Sequence, residues 1–226
     1  VAPDALILLD LSGSMRWTPA GEVMYTHSDN QWCSLSGWAF YPDNTHSGYT
    51  KACTIDPYGS VPKYSDPTCS GPFYTTSTNP GYTTDCSRLA IAKRAIFDIL
   101  DENDDNTINS TDEQNLNIRF GYMRFYNCSN DDTGGDYSSG CNSLIRGIGS
   151  KYSQIYCNSS SSCSPTSSSS PSVNAESATG GTPLASALRE AKLFLDYHKS
   201  QDTQAAACRQ KCVILITDVA DTCSCS

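Results

Sequence analysis

No apolar run in this sequence approaches the ~18 consecutive residues that a membrane-spanning helix needs, so no transmembrane segment is expected. Basic residues are also in short supply: 15 Lys and Arg stand against 24 Asp and Glu, for a formal net charge of -9. That balance leaves no electrostatic footprint for nucleic acid, argues against anionic membranes and suits a chain that concentrates cations. Histidine is scarce, with His27, His46 and His198 far apart. Gly-x-Ser-x-Gly, Cys-x-x-Cys and Cys-x-x-Cys-His are absent, which removes the usual signatures of a serine hydrolase, a zinc site and covalent haem. No paired catalytic carboxylates or activated thiol stand out either, and the chain is read as a non-enzyme. A hydrolase that uses a cation to activate water has no support beyond the cation itself.

Cysteine is abundant. Twelve are scattered through Tyr-, Ser- and Gly-rich segments. An even count in that setting reads as disulfides made in an oxidising, extracytoplasmic compartment, with the pairing left open. Val1-Ala2-Pro3 is compatible with the start left by a cleaved export signal.

At 226 residues the chain is long enough for a sizeable core, and residues 1–226 are read as one α/β domain. Its first ordered stretch is Leu6-Ile7-Leu8-Leu9-Asp10-Leu11-Ser12-Gly13-Ser14, an apolar run suited to a doubly buried parallel strand and ending on polar residues. A Cys- and aromatic-rich insertion over 16–86 follows; its rings form either a contact surface or a small core of their own. Ser87 then caps a helix over Arg88–Leu100, with Leu89, Ala92 and Ile96 on one face, and alternation predicts a strand over 117–126. A second insertion, 127–178, is Ser- and Cys-rich and predicts flexible, solvated chain. Order returns with Thr182 as cap, Pro183 at the first helical position and a helix to about Lys199 whose Leu184, Ala187, Leu188, Ala191 and Leu195 face the core. Cys212–Thr217 reads as a second doubly buried strand, ending on Asp218. Buried strands alternating with helices point to an open, mostly parallel, Rossmann-like doubly wound sheet.

Chemistry in such sheets sits past the carboxyl ends of the strands. Asp10, Ser12, Ser14, Thr182 and Asp218 fall there, and carboxylates with hydroxyls make a hard oxygen site for Mg²⁺, Mn²⁺ or Ca²⁺. The plainer reading is a set of strand-end turns capped by Asp and Ser. The set Asp10-x-Ser12-x-Ser14, Gly-Gly-Thr182-Pro and Val-Ile-Leu-Ile-Thr-Asp218 resembles the von Willebrand factor A domain and its metal-ion-dependent adhesion site. The resemblance covers about 1–15, 87–126 and 179–221 and leaves both insertions unmatched. It implies Mg²⁺ or Mn²⁺ held by those five residues, with a ligand carboxylate at the remaining position. Val219 stands where the family has glycine, which turns Asp218 differently or gives Asp221 a share of its role. The family continues past this point with further strands, so the domain is expected to be incomplete at its C-terminus.

Asp101 to Asp112 directly follows the first helix. Counted from Asp101, oxygen side chains fall at positions 1, 3, 5, 9 and 12 (Asp101, Asn103, Asp105, Asn109, Asp112), with Thr107 at 7 and Ile108 at 8. This resembles an EF-hand Ca²⁺ loop, Thr107 lending its carbonyl. Asn106 replaces the usual Gly at position 6, and Asn tolerates left-handed geometry; Asp112 offers a shorter arm than the usual Glu. A solvated acidic turn is the bland alternative.

A von Willebrand-type domain with a long aromatic insertion after its first motif resembles the N-terminal region of type IV pilus tip adhesins of the PilC/PilY type. That resemblance implies an extracellular, pilus-associated adhesin with minor pilins and a C-terminal β-propeller, absent from this sequence, as partners. The alternative is a structural or scaffold subunit whose cations only stabilise the fold.

Overall fold

The structure is a computed structural model that describes residues 1–16, 87–126, 143–203, 205 and 207–218, together with the backbone pairings Trp38–Ala39 with Cys53–Thr54 and Thr75–Thr76 with Asn79–Pro80. The aromatic face expected in 16–86, the first part of the second insertion, and Val219 and Asp221 otherwise lie outside the described residues.

Strand β1, Asp4–Asp10, is buried along its whole length. A central strand needs apolar side chains on both faces, and the Ala5–Leu9 run supplies them. Ala5, Ile7 and Leu9 pack with Leu89, Ile96 and Phe97 of helix α1 (Arg88–Leu100) and with Ile155 and Tyr156 of a short helix, Tyr152–Cys157. Leu6 and Leu8 pack on the opposite face with Ala187, Ala191 and Phe194 of a long helix, Leu184–Gln201. Between α1 and the next strand lies helix α2, Ser110–Leu116; the short and long helices are α3 and α4. Strand β2 (Arg119–Phe125) and strand β4 (Lys211–Ile216) flank β1 in parallel, while β3 (Ser143–Arg146) lies antiparallel outside β2. The sheet order is β3-β2-β1-β4. The protein is therefore a mixed α/β fold with a mostly parallel four-stranded sheet and helices on both of its faces.

Helix α1 has the expected bounds, with the Ser87 hydroxyl accepting from the Ala90 N–H at 3.1 Å. Strand β2 is buried on both faces rather than alternating. Phe120 and Tyr122 enter the α1 side and Met123 and Phe125 the α4 side, because β2 lies inside the sheet.

Four expectations need correction. Thr182 does not cap α4: Pro183 takes that place without a side-chain bond, and the helix runs to Gln201. Its buried residues are Ala187, Glu190, Ala191 and Phe194, while Leu188 is 40% exposed. Leu184 and Leu195 pack against this core as expected, partly buried, while Leu188, with Leu195, lines a groove of about 400 Å³ beside β4. Strand β4 is half-buried, with Cys212 and Leu215 exposed. Its apolar run predicts burial on both faces, but among the described residues it pairs with β1 alone. Lastly, 143–178 is packed structure: Tyr152, Ile155, Tyr156 and Val173 sit in the core. Serine-rich composition signals solvation, yet these interleaved apolar residues and side-chain bonds to the backbone, such as Asn174 Nδ2 donating to the Ser167 carbonyl at 2.8 Å, anchor the segment.

Candidate metal centre

Strands β1 and β4 run in parallel and so deliver Asp10 and Asp218 to the same edge. The sheet order reverses direction across β1, and open α/β sheets hold their ligands in the crevice such a reversal makes. Asp10 is fully buried; its Oδ1 accepts from the Ser12 N–H at 2.7 Å and its Oδ2 from the Thr217 hydroxyl at 2.7 Å. Ser12 and Ser14 hydroxyls lie 3.1 Å apart, and Ser14 donates to Asp218 Oδ1 at 3.0 Å. Asp10, Ser12, Ser14 and Asp218 thus form one connected polar cluster. Burial raises the Asp10 pKa, and the nearby Asp218 charge adds to the rise against the hydrogen bonds from Thr217 and Ser12.

Thr182 reaches the neighbourhood through its loop. The Gly13 N–H donates to the Gly180 carbonyl at 2.9 Å, the Thr179 N–H donates to the Leu11 carbonyl at 2.5 Å, and Thr182 is 1% exposed. Gly180 has φ of 79°, the left-handed backbone that glycine adopts without strain. The approach to this loop is fixed from below by a polar clamp. Lys93, buried in α1, donates to the carbonyls of Asn174 at 3.0 Å and Glu176 at 2.6 Å. The Glu176 carboxylate accepts from the Tyr122 hydroxyl at 3.1 Å and from Arg124 at 2.5 Å.

No family model, curated protein or solved structure matches this chain. The site therefore stands on its own geometry.

That geometry fits a hard divalent cation. Two carboxylates and two hydroxyls converge in a largely buried place, a donor set of oxygen only. Among the described residues no three His, Cys, Asp or Glu side chains gather into a metal-binding group, and here hydroxyls make up the balance. Among the described residues the Arg88 guanidinium faces the cluster, paired with Asp218 Oδ2. Sequence reasoning missed Arg88 and Thr217. The signal for Arg88 was a cation at the first position of a helix, where the positive end of the dipole disfavours it. Thr217 was visible only as the residue between strand and aspartate.

The acidic loop lies at the other end of α1. Asp101 is the C-cap residue of α1 and Asp112 is buried in the first turn of α2. Asp104 (φ 57°) and Asn106 (φ 61°) hold left-handed backbone, and the Asn106 N–H donates to Asp101 Oδ2 at 2.9 Å. Asn therefore performs the turn that glycine usually makes. Asn109 is committed as the α2 cap: its Oδ1 accepts from the Thr111 N–H, its Nδ2 donates to the Thr107 carbonyl, and its own N–H donates to Asp112 Oδ2. Asn103 and Asp105 are exposed and bonded to each other. Two buried oxygens, Asp101 Oδ1 and Asp112 Oδ1, have no hydrogen-bond partner. An unpartnered buried carboxylate oxygen is costly, and coordination to a cation is one way to offset that cost. Burial raises the Asp101 pKa, with further upward pressure from Asp112 and Asp105.

Proposed function

We propose that this chain is a metal-dependent adhesion module of the von Willebrand factor A type, from an extracellular protein resembling type IV pilus tip adhesins. Asp10, Ser12, Ser14, Thr182 and Asp218 would hold Mg²⁺ or Mn²⁺, and a carboxylate from a protein or surface ligand would complete the shell. The observation that carries this reading is the hydrogen-bonded convergence of Asp10, Ser12, Ser14 and Asp218 at the edge where the sheet order reverses. When bound, the cation supplies a fixed positive charge for a ligand carboxylate.

The residues have separable tasks. Asp10 is oriented by Thr217 and the Ser12 amide, so its carboxylate cannot swing away. Ser14 bridges the two loops through Asp218. Lys93 and Glu176 hold the chain that leads to Gly180 and Thr182. Asp101 and Asp112, with Asn103, Asp105, Thr107 and Asn109 around them, form a second site for Ca²⁺; the two unpartnered carboxylate oxygens support it.

A second reading, a scaffold subunit with structural metals, is favoured by the near-complete burial of Asp10 and Thr182. Water-proton relaxation on titration with Mn²⁺ separates the two. Adhesion expects a bound Mn²⁺ with strong relaxation enhancement from an exchanging water, and loss of that signal in Asp10→Asn. Tight Mn²⁺ binding with little enhancement means a closed shell and the scaffold reading. Binding that persists unchanged in Asp10→Asn removes this site altogether.

A further inference from the structure

The buried thiols of Cys157 and Cys163 have no part in either cation site. Cys157 ends α3, and Cys163 follows the turn that reverses the chain; both are 3% exposed. The Cys157 thiol donates to the Ser153 carbonyl at 3.3 Å, and the Cys163 sulfur lies 3.9 Å from the same carbonyl, within reach of the Cys157 sulfur. Cys163 is also a backbone partner of the acidic loop: the Ile108 N–H donates to its carbonyl at 2.9 Å, and its own N–H donates to the Ile108 carbonyl at 3.0 Å. Ile108 itself is fully buried.

From this geometry we infer that Cys157 and Cys163 oxidise to a disulfide, which closes the 158–162 turn and fastens the acidic loop to α3 through the Ile108–Cys163 pairing. A disulfide donor, protein or small molecule, is the oxidant. One cysteine thiolate attacks the donor disulfide and expels a donor thiolate; the second then attacks the mixed disulfide and expels the other. The chain loses two electrons and two protons, and the donor leaves as two thiols. The exchange takes place while the segment is still open, since the folded pair is buried.

The chain refolded from the reduced state in mixed oxidised and reduced glutathione provides the test. Trypsin releases 152–189, whose only cysteines are these two. Alkylated before reduction, this peptide is expected to carry no label and to be two hydrogens lighter than the dithiol. Two labels, or a link to another cysteine peptide, overturn the bond. Amide exchange at Ile108 reads the fastening and is expected to quicken about tenfold in Cys157→Ser/Cys163→Ser; an unchanged rate overturns that part. Should the double variant not fold, mild reduction of the folded wild-type chain gives the same comparison. Neither readout involves Ca²⁺, so failure of the calcium reading stays distinguishable from failure of this one.

Discussion

Arg88 holds the position with the sharpest conflict of charge. Its guanidinium pairs with Asp218, the two side chains 23% and 8% exposed, while it stands at the first residue of α1 against the helix dipole. In the metal-free chain it neutralises a carboxylate that would otherwise face Asp10 uncompensated. With a cation present the same charge is repulsive. Arg88→Gln is therefore expected to cost the metal-free protein about 1–3 kcal/mol, the penalty for an unpaired buried acceptor. Mn²⁺ affinity should rise by about tenfold, worth about 1.4 kcal/mol. Thermal melts with and without Mn²⁺ check both signs together; unchanged or weaker Mn²⁺ binding would separate Arg88 from the cation site.

At the opposite end of β1, buried Asp4 is ringed by Lys211 at 2.7 Å, His198 at 3.2 Å, Arg119 at 3.4 Å and Arg209 at 3.9 Å. Burial lowers the His198 pKa, helped by Lys211 and Arg119 and opposed by Asp4. A histidine with a depressed folded pKa leaves the unfolded chain holding the extra proton as the pH falls below about 6.5. It stabilises the fold above that pH and loses the contribution on acidification. In His198→Gln the decline of stability between about pH 6.5 and pH 5 should be shallower than in wild type. Parallel slopes in denaturant titrations across that range would exclude His198 as a contributor.

At the scale of elements, the β2–β3 pairing depends on a missing side chain. A Cβ on Gly121 would lie 3.0 Å from Ile148 Cγ1 and 3.1 Å from both the Arg146 carbonyl and the Ile148 amide. Two of those neighbours are backbone, next to the register shift at Tyr122 and Met123, so β3 must move to make room. Gly121→Ala is expected to destabilise by about 1–3 kcal/mol. Gly147→Ala meets nothing within 4 Å and serves as the control; equal melting temperatures for the two variants would mean that β3 yields freely. The elements that periodicity marks out were legible for physical reasons. A seven-residue buried strand and a Ser-capped amphipathic helix state their environment in their own sequence, as β1 and α1 do. Asp10, Ser12, Ser14 and Asp218 were legible because strand ends collect polar side chains where the chain turns. Other features were not, because they depend on neighbours. Leu188 cannot signal that α4 leans on its alanines, nor β4 that it has one partner among the described residues. The order within 143–178 comes from a few aromatic residues among serines, which composition averages away.

At the scale of the molecule, α1 connects the two candidate cation sites. It begins with Arg88 at Asp218 and ends at Asp101, and thirteen helical residues at 1.5 Å each span roughly 20 Å. That is more than twice the screening length of about 8 Å at physiological ionic strength. Direct electrostatic coupling is therefore small. A mechanical route would require α1 to shift, yet Leu89, Ile96, Phe97 and Leu100 are locked into the core with Tyr156 stacked edge-on against Phe97 at 5.0 Å. Packed interiors resist such displacement. The sites are expected to bind independently. Asp10→Asn should leave Ca²⁺ affinity within about twofold, and Asp101→Asn/Asp112→Asn should abolish Ca²⁺ binding while leaving Mn²⁺ affinity at the first site within the same margin. Calorimetry for Ca²⁺ and relaxation enhancement for Mn²⁺ provide the two readouts. A reciprocal change of about tenfold would show that α1 transmits occupancy from one end of the sheet to the other. Occupancy of the acidic loop would then regulate the candidate site at Asp10 and Asp218 rather than serve only to hold the fold.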